Sequence, residues 1–316
     1  MDQVVARASA GAKFSDPDVT AKGERRAHVA LAGLQTLWLN TGTLCNLACA
    51  GCYIESSPRN DRLEFLTRGE ARGFLDEIAR DGLPTRLVGF TGGEPFLNPE
   101  LPGMLADVLE RGLSALVLTN AMRPMRKMEA ALLALRQAHG GRLRLRVSLD
   151  HYAAPLHEAE RGPRSWQPSL DGLLWLAANG FAVDVAARLL GPEPEAALRA
   201  GFADLFARHA LPVDAADPAR LVVFPEMDAT RDTPEITEAC WGILHRSPGS
   251  VMCASARMVV KRRGAPGPSV VACTLLPYDE RFDLGPTLAG ASGAVSLNHP
   301  HCATFCVLGG AACSAG

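Results

Sequence analysis

Three cysteines near the start of the chain, Cys45, Cys49 and Cys52, are spaced closely enough to bind metal from a single loop. Three thiolates on one short loop can hold three irons of a four-iron cluster and leave the fourth iron without a protein ligand. Such an open coordination position is typical of a catalytic metal centre, because a structural centre closes its coordination sphere. On this spacing alone, a zinc-binding loop or cysteines without a metal remain alternatives.

The other cysteines of the chain form a second set in its last quarter. This set comprises Cys240, Cys253, Cys273, Cys302, Cys306 and Cys313. A four-iron cluster takes four cysteine ligands, so the set is large enough for one further cluster and too small for two. A structural zinc site, which His299 and His301 could join, and buried cysteines without a metal are the alternatives. Thiols stay reduced in the cytosol, where clustered cysteines indicate metal ligands rather than disulfides.

Polar residues follow three of the apolar runs that we predict to be strands. The run Gly92-Gly93-Glu94-Pro95 follows the second, Asn120 ends the third, and Ser148 with Asp150 ends the fourth. The carboxyl ends of parallel strands are where a barrel builds its active site. Two glycines allow the backbone to approach a ligand closely, and Glu94 can accept hydrogen bonds from an ammonium group. Taken singly, each of these residues could also belong to a turn or a helix cap.

The elements that position these residues are predicted from short apolar runs that alternate with amphipathic helical stretches. The predicted strands are Leu37–Leu39, Arg86–Phe90, Ala115–Leu118, Leu143–Leu149, Phe181–Ala187 and Leu221–Phe224. Between them, the capping box from Thr67 to Glu70 and the pair Asn98-Pro99 indicate helix starts. Short strand–helix connections predict parallel strands with right-handed crossovers. This pattern is compatible with an open doubly wound sheet and with a partial barrel.

Two flanking segments differ from this pattern. Residues 1–34 are predicted to form a polar N-terminal arm, and residues 231–316 a small cysteine-rich C-terminal domain. Within the latter, Arg257–Val260 and Val270–Thr274 predict the strands of a β-hairpin. The C-terminal segment has too little apolar pattern for a core of its own. A small domain of that kind usually needs a staple such as a metal.

Composition narrows the class of protein. The chain has 316 residues, of which 47% are hydrophobic and 21% charged, as expected for a globular protein. Its net charge of −2 argues against a protein that mainly neutralises nucleic-acid phosphates. No apolar stretch approaches the roughly 18 residues that span a bilayer, and the first residues lack a signal-peptide core. We therefore expect a cytoplasmic protein without a nucleic-acid or membrane partner.

In their order and spacing, the cysteine triplet, the GGEP run and the polar strand ends resemble the radical SAM superfamily over residues 37 to about 228. The pairs His157-Glu158 and Arg161-Gly162, after the fourth strand, also fit. The resemblance implies a partial (β/α)6 TIM-type barrel over residues 35–230, with a [4Fe–4S] cluster on the three cysteines. In that family, S-adenosyl-L-methionine (SAM) chelates the open iron and is cleaved by an electron from the cluster. The 5′-deoxyadenosyl radical that results abstracts hydrogen from the substrate.

The resemblance also implies which residues contact SAM. The candidates are Gly92, Gly93 and Glu94 for the amino group, Asn120, Ser148 and Asp150 for the ribose or carboxylate, and Arg188 for the carboxylate. Arg188 could equally be a surface arginine. Many family members carry an aromatic residue just before the third cysteine, but here Gly51 occupies that position and Tyr53 follows the cysteine. This departure affects the adenine contact more than the cluster, and we count Tyr53 among the SAM-binding candidates.

The C-terminal set resembles the SPASM/twitch domain, which holds an auxiliary cluster. This resemblance implies a second [4Fe–4S] cluster on Cys253, Cys273, Cys302 and Cys306, with Cys313 able to replace one of the last two. The match is looser than that of the barrel, because a CxxxC spacing replaces a shorter one. After the sixth strand, Glu226 and Asp228 are candidates for an acid–base pair at the barrel mouth.

These features predict a radical SAM enzyme that oxidises or cross-links a small molecule or a peptide, assisted by an auxiliary cluster. An electron donor such as flavodoxin or ferredoxin is implied. The short N-terminal arm cannot hold a separate peptide-recognition domain, which favours a small molecule. The first alternative is a maturase of the same superfamily that acts on a peptide (RiPP-type) or a protein. The second is a non-catalytic iron–sulfur or zinc protein.

Overall fold

The computed structural model describes residues 12–225 and 232–310. The strands are β1 (His28–Val29), β2 (Thr36–Asn40), β3 (Leu87–Thr91), β4 (Ser114–Thr119), β5 (Leu143–Ser148), β6 (Ala182–Arg188), β7 (Leu221–Phe224), β8 (Ala256–Val260), β9 (Ser269–Val271) and β10 (Val295–Ser296). The α-helices are α1 (Arg68–Arg80), α2 (Leu101–Glu110), α3 (Arg123–Arg126), α4 (Glu129–His139), α5 (Ala154–Arg161), α6 (Trp166–Ala178), α7 (Glu195–Arg208) and α8 (Cys240–Ile243). A π-helical segment spans Cys302–Leu308.

The six strands β2 to β7 form a parallel sheet in which each strand pairs with the next along the chain. They correspond to the six strands predicted from the sequence. A doubly wound sheet reverses its strand order at a switch point, and no reversal occurs from β2 to β7. The order of the strands therefore decides for the partial (β/α)6 barrel, and the predicted fold class is confirmed.

The alternation of side chains along the strands separates two apolar cores. On β2, Leu37 and Leu39 pack with the helices on the outside of the barrel, whereas Trp38 points the other way and packs with the C-terminal segment. Gly89, on the neighbouring strand, has no side chain, and a Cβ there would lie 2.3 Å from the Trp38 ring. The inner face of β2 is thus filled by one large indole and covered by residues from the end of the chain.

The predicted C-terminal hairpin is formed by β8 and β9, and it continues the barrel sheet instead of standing apart. Strand β8 pairs in parallel with β2, from Thr36 opposite Ala256 to Leu39 opposite Val259. Strand β9 then pairs with β8 in antiparallel fashion. The N-terminal arm is tied to the same region, because β1 pairs with β10. The C-terminal segment therefore shares its sheet and its apolar core with the barrel.

The basic loop of this hairpin is anchored to the segment that follows the cysteine triplet. Lys261 pairs with Glu70 at 2.9 Å, and Arg263 pairs with Asp61 at 2.9 Å. Backbone pairing between Leu63 and Arg262 adds a bridge between the two segments. Within the described ranges, no helix is long and apolar enough to cross a bilayer.

Candidate active site

The three N-terminal cysteines line one cavity of about 140 Å³ together with residues from the carboxyl ends of four parallel strands. Such strand ends meet at one edge of a barrel, where active sites are built. The lining residues from these ends are Thr91, Gly92 and Gly93 after β3, Thr119 and Asn120 after β4, Ser148 and Asp150 after β5, and Arg188 on β6. Tyr53 also lines the cavity. The residues predicted for the first cluster and for SAM are thus brought together, with the exception of Glu94, which does not line the cavity.

Gly92 and Gly93 pack against the backbone of the loop that leads into the cysteines. Gly93 N–H donates to the carbonyl oxygen of Gly42 at 2.8 Å. A Cβ on Gly92 would lie 2.4 Å from that same oxygen, and one on Gly93 would lie 2.2 Å from the oxygen of Leu44. Backbone atoms cannot move aside cheaply, so glycine is required at both positions. We expected these glycines to admit a ligand, and here they also admit the loop that carries Cys45.

The carboxylate of Glu94 does not line the cavity and is hydrogen-bonded to residues at the end of β4. It accepts hydrogen bonds from Thr119 Oγ1 at 2.8 Å, Asn120 N–H at 2.9 Å and Phe96 N–H at 3.2 Å. The residue is 2% exposed, and this burial raises the pKa of Glu94 to about 7 in spite of the three hydrogen bonds. Glu94 therefore braces the ends of β3 and β4 against each other. Its predicted contact with the SAM amino group stays a prediction.

The burial of Glu94 predicts a contribution of this residue to the pH dependence of stability. Because its pKa is higher in the folded chain than in the unfolded one, the folded state holds its proton longer as the pH rises. The contribution of Glu94 to the free energy of unfolding should therefore fall, by on the order of 3 kcal/mol, between about pH 4.5 and pH 7. Urea unfolding of the metal-free chain at several pH values, compared with Glu94→Gln, isolates this contribution. A difference between the two that stays constant with pH would contradict it, and Glu110→Gln, at an exposed carboxylate, is the control.

Asp150 lies in the cavity wall and is held by a bidentate ion pair with Arg161. The two hydrogen bonds measure 2.7 and 3.0 Å, and the side chains are 6% and 13% exposed. Burial alone would raise the pKa of Asp150, but the charge and hydrogen bonds of Arg161 outweigh it and hold that pKa below its usual range. Both carboxylate oxygens of Asp150 are thus engaged within the chain. Arg161 itself lines the cavity.

Arg188 is a cavity residue and not a surface arginine. Its Nη1 donates to the carbonyl oxygen of Gly51 at 2.6 Å and to Glu160 at 3.1 Å. The predicted partner of Arg188 was the SAM carboxylate. That contact stays a prediction; in this structure the guanidinium is joined to the cysteine loop.

The cavity extends into the barrel between side chains that the sequence analysis did not single out. Its inner wall is mostly apolar and includes one guanidinium; the residues are Trp38, Leu118, Arg146, Ala186 and Phe224. Thr274 and Leu275, from the C-terminal segment, complete the wall. Phe224 in turn stacks on Phe305 of the π-helical segment, with ring centroids 5.4 Å apart. The C-terminal segment therefore contributes directly to the barrel cavity.

Four C-terminal cysteines line a second, smaller cavity. They are Cys253, Cys273, Cys302 and Cys306. The enclosed space is about 20 Å³, and His301 lies in its wall. Leu275 lines both this cavity and the barrel cavity, so the two cavities are neighbours. Cys240 lines neither cavity; its sulfur accepts a hydrogen bond from Thr237 N–H at 3.4 Å.

The π-helical segment accounts for the CxxxC spacing that differs from the pattern of the resemblance. Cys302 and Cys306 lie at the first and fifth positions of this seven-residue segment. A π-helix takes more residues per turn than an α-helix, and its hydrogen bonds join residues five apart. Gly309 N–H donates to Thr304 O in this way, at 3.0 Å. The two cysteines are thereby carried to the same cavity. Cys313, Glu226 and Asp228 lie outside the described residues.

A family model for the radical SAM superfamily matches residues 39–196 of the chain. The chain belongs to the radical SAM superfamily. It is 33% identical over 106 residues to the Fe-coproporphyrin III synthase of Methanosarcina barkeri, which covers 34% of the chain and 25% of that protein. It is 30% identical over 138 residues to the mycofactocin maturase MftC of Mycobacterium tuberculosis, covering 44% and 33%. The matches thus span about a quarter to a third of these relatives' own lengths.

Solved structures extend the similarity of fold beyond the radical SAM barrel. SuiB of Streptococcus suis, in its structure with S-adenosylmethionine, superposes with a TM-score of 0.58 at 13% sequence identity. The superposition covers 80% of this chain and 63% of SuiB. At this level of identity the comparison concerns the fold alone.

The first cysteine set fits the cluster that the radical SAM family implies. Burial raises the pKa of Cys45 to about 12 and also raises that of Cys49. Without a metal these thiols keep their protons at neutral pH, and a cationic centre would stabilise the thiolates. Throughout residues 12–225 and 232–310, no three His, Cys, Asp or Glu side chains are arranged to hold one metal ion. Three thiols from one loop that line one cavity are donors that an iron–sulfur cluster takes.

The C-terminal set has the same donor chemistry in a more enclosed place. Burial raises the pKa of Cys253 to about 11 and raises that of Cys302 well above its usual range. The rest of the cavity wall is apolar apart from His301. Four thiols around one space suit a thiophilic metal centre.

Proposed function

We propose that this radical SAM protein cleaves SAM reductively and uses the radical to abstract hydrogen from a small-molecule or peptide substrate. The observation that carries the proposal is the barrel cavity, which joins the three cysteines to the polar strand ends and to the barrel interior. A [4Fe–4S] cluster with bound SAM supplies the 5′-deoxyadenosyl radical. In this assignment Cys45, Cys49 and Cys52 hold the cluster.

The other residues of the cavity would orient SAM and exclude water. Asn120 donates through its side-chain amide to Asn46 at 2.9 Å, which joins the end of β4 to the cysteine loop. Ser148 stands at the end of β5 beside Asp150, and both face the same cavity as the cysteines. Deeper in the barrel, Trp38 and Phe224 provide apolar walls. Such walls keep water away from a reactive intermediate, which is what hydrogen abstraction from a substrate needs.

We further propose that the C-terminal segment, within residues 231–316, holds an auxiliary [4Fe–4S] cluster of the SPASM/twitch type. Cys253, Cys273, Cys302 and Cys306 would be its ligands. Net oxidation of a substrate after hydrogen abstraction needs an acceptor for one further electron. The second cavity is a suitable place for that acceptor, because Leu275 lines both it and the barrel cavity, so the two are neighbours. This arrangement favours dehydrogenation or cross-link formation over a redox-neutral reaction.

The class of substrate stays open between a small molecule and a peptide. The name of one relative describes a synthase of an iron porphyrin, and that of another describes a maturase. A peptide maturase is therefore the second candidate function for this chain. A cytoplasmic electron donor such as flavodoxin or ferredoxin would serve either reaction.

Anaerobic turnover tests the proposed function without knowledge of the substrate. After reconstitution with iron and sulfide, the reduced protein should show an EPR signal that SAM perturbs, and dithionite should release 5′-deoxyadenosine. Cys240→Ala is a matched control that should behave like the wild type, because Cys240 lines neither cavity. If SAM leaves the signal unchanged and no reductant yields 5′-deoxyadenosine, the chain is a non-catalytic iron–sulfur or zinc protein.

A further inference from the structure

The peptide at Gly51, between the second and third cysteines, is held on both sides by one ion pair. Gly51 N–H donates to Glu160 Oε1 at 2.7 Å, and Arg188 Nη1 donates to the Gly51 carbonyl oxygen at 2.6 Å. The two side chains also pair with each other at 3.1 Å and are only 12% and 19% exposed. One residue earlier, Ala50 N–H donates to the backbone oxygen of Glu160 at 2.8 Å. The loop is therefore fixed by three hydrogen bonds within two residues.

Glycine at position 51 is required by this ion pair and not by the backbone. Gly51 is not among the residues with a left-handed conformation, so its backbone would accept alanine. A Cβ there, however, would lie 2.1 Å from Arg188 Nη1 and 2.5 Å from Glu160 Oε1. Both atoms are at the ends of flexible side chains and could move, but only by giving up their hydrogen bonds to the loop. The lack of a side chain at position 51 is thus what allows Glu160 and Arg188 to bind the Gly51 peptide.

The last turn of α5 connects this contact to the rest of the cavity. Glu160 holds the cysteine loop, and its neighbour Arg161 holds Asp150 at the end of β5. Arg188 reaches the same peptide from the end of β6. A single helical turn therefore sets the position of the cysteine loop relative to two strand ends. Unpaired carbonyls at a helix end, such as that of Glu160, are available for such contacts.

We infer that Glu160 and Arg188 are positioning residues that hold the cysteine loop in shape for the cluster. They do so at the place where many family members carry an aromatic side chain. The inference rests on the proposed function, because it assigns the cluster to this loop. Cys49 and Cys52 flank the held segment, so fixing the Gly51 peptide restricts the separation of two of the three sulfurs. Arg188 meanwhile presents its guanidinium to the cavity wall.

Hydrogen exchange in the metal-free chain tests the contact itself, independently of any cluster. The amides of Ala50 and Gly51 should exchange slowly in the wild type and on the order of tenfold faster in Glu160→Gln and Arg188→Ala. Gly51→Ala should show the same acceleration. Arg111→Ala, which removes an ion pair with Asp76 elsewhere on the surface, is the matched control and should leave these amides unchanged. Fast exchange in the wild type, or no change in the variants, would overturn the inference.

Loss of iron to a chelator tests the consequence for the cluster. In reconstituted protein, each of Gly51→Ala, Glu160→Gln and Arg188→Ala should lose iron on the order of tenfold faster and show an altered EPR signal with SAM. The double variant Gly51→Ala/Arg188→Ala should be no worse than either single variant, because both disrupt the same unit. Arg188→Lys, which keeps one donor for the Gly51 carbonyl, should recover part of the loss.

The two experiments separate this inference from the proposed function. Additive effects in the double variant, or wild-type rates of iron loss in all single variants, would overturn the positioning role while the proposed function stands. If the wild type binds no iron although its Gly51 amide is protected, the proposed function fails, and the role assigned to the pair toward a cluster fails with it. Slow exchange combined with non-additive loss of iron supports both.

Discussion

Replacing Cys45, Cys49 and Cys52 together by alanine should lower the iron content of anaerobically reconstituted protein from about eight to about four per chain. The same variant should release no 5′-deoxyadenosine. The reason is that the three thiols line the barrel cavity beside the polar strand ends, and no fourth cysteine within residues 12–225 and 232–310 lines that cavity. Iron and sulfide analysis, together with chromatography of the turnover products, measures both effects.

The complementary variant separates the two cysteine sets. Cys253→Ala combined with Cys273→Ala should also leave about four irons, but release of 5′-deoxyadenosine should persist. Oxidised product, once a substrate is known, should be lost. Cys240→Ala is the control and should retain about eight irons. A wild-type content of about four that falls to none in the triple variant would contradict the auxiliary cluster. The C-terminal cysteines would then be left to zinc or to packing, and a redox-neutral reaction would be favoured.

Arg161→Leu should lower the free energy of unfolding by about 3–5 kcal/mol at pH 7. The substitution leaves the Asp150 carboxylate buried and deprived of its bidentate partner. Removing one partner of a buried ion pair costs far more than the pair itself contributes, because the remaining charge is desolvated without compensation. Urea unfolding of the wild type and the variant under identical conditions measures the difference.

Two further variants and a pH series check this reason. Asp150→Asn combined with Arg161→Leu should recover part of the loss, since no buried charge remains. Arg111→Ala breaks an ion pair whose Asp76 partner is 68% exposed and should cost less than about 1 kcal/mol.

The pH series tests the role of the Asp150 charge. The pKa of Asp150 is lower in the folded wild type than in the unfolded chain, so its ionised carboxylate stabilises the fold at pH values above the unfolded pKa of about 4. The deficit of Arg161→Leu should therefore shrink as the pH falls and Asp150 takes up a proton. A deficit that does not change with pH would indicate lost packing instead.

Many strands and helices of the barrel can be predicted from local sequence signals such as apolar runs and helix caps. The capping box at Thr67 and Glu70 is formed as predicted, and α1 begins at Arg68. The run around Asn98-Pro99 indicated a helix start, but α2 begins at Leu101 with Glu100 as its N-cap, and Pro95–Leu97 forms a separate 3-10 turn before it. Asn98 still serves this start, since its side-chain oxygen accepts from Glu100 N–H at 3.0 Å. Local chemistry thus predicts an element well and its first residue less well.

Contacts between distant parts of the chain were beyond such signals. The apolar pattern of β8 predicts a strand, but it does not predict that this strand pairs with β2. For the same reason Thr274 and Leu275 could not be assigned to the barrel cavity. Residues at the ends of predicted strands, such as Ser148 and Asp150, could be assigned to the site from the sequence. The partners of these residues come from distant segments, so their hydrogen bonds could not be read from spacing.

Gly51 is an instructive case, because its departure from the family pattern was visible in the sequence. An absent aromatic side chain indicated a weaker adenine contact. The sequence did not predict which side chains contact the Gly51 peptide in place of an aromatic ring. Glu160 and Arg188 lie more than a hundred residues later, and each looks like an ordinary charged residue on its own element.

The pairing of β2 with β8 has a consequence for biosynthesis. β2 leaves the ribosome early, yet the strand that covers its outer edge is made more than two hundred residues later. At about 5–20 residues per second, the nascent barrel waits on the order of ten seconds or longer with that edge unpaired. An unpaired apolar edge is a template for association with other chains. Chaperones that shield nascent chains, and slower synthesis at low temperature, should therefore matter more for the yield of this protein than for a barrel whose strands all pair with near neighbours.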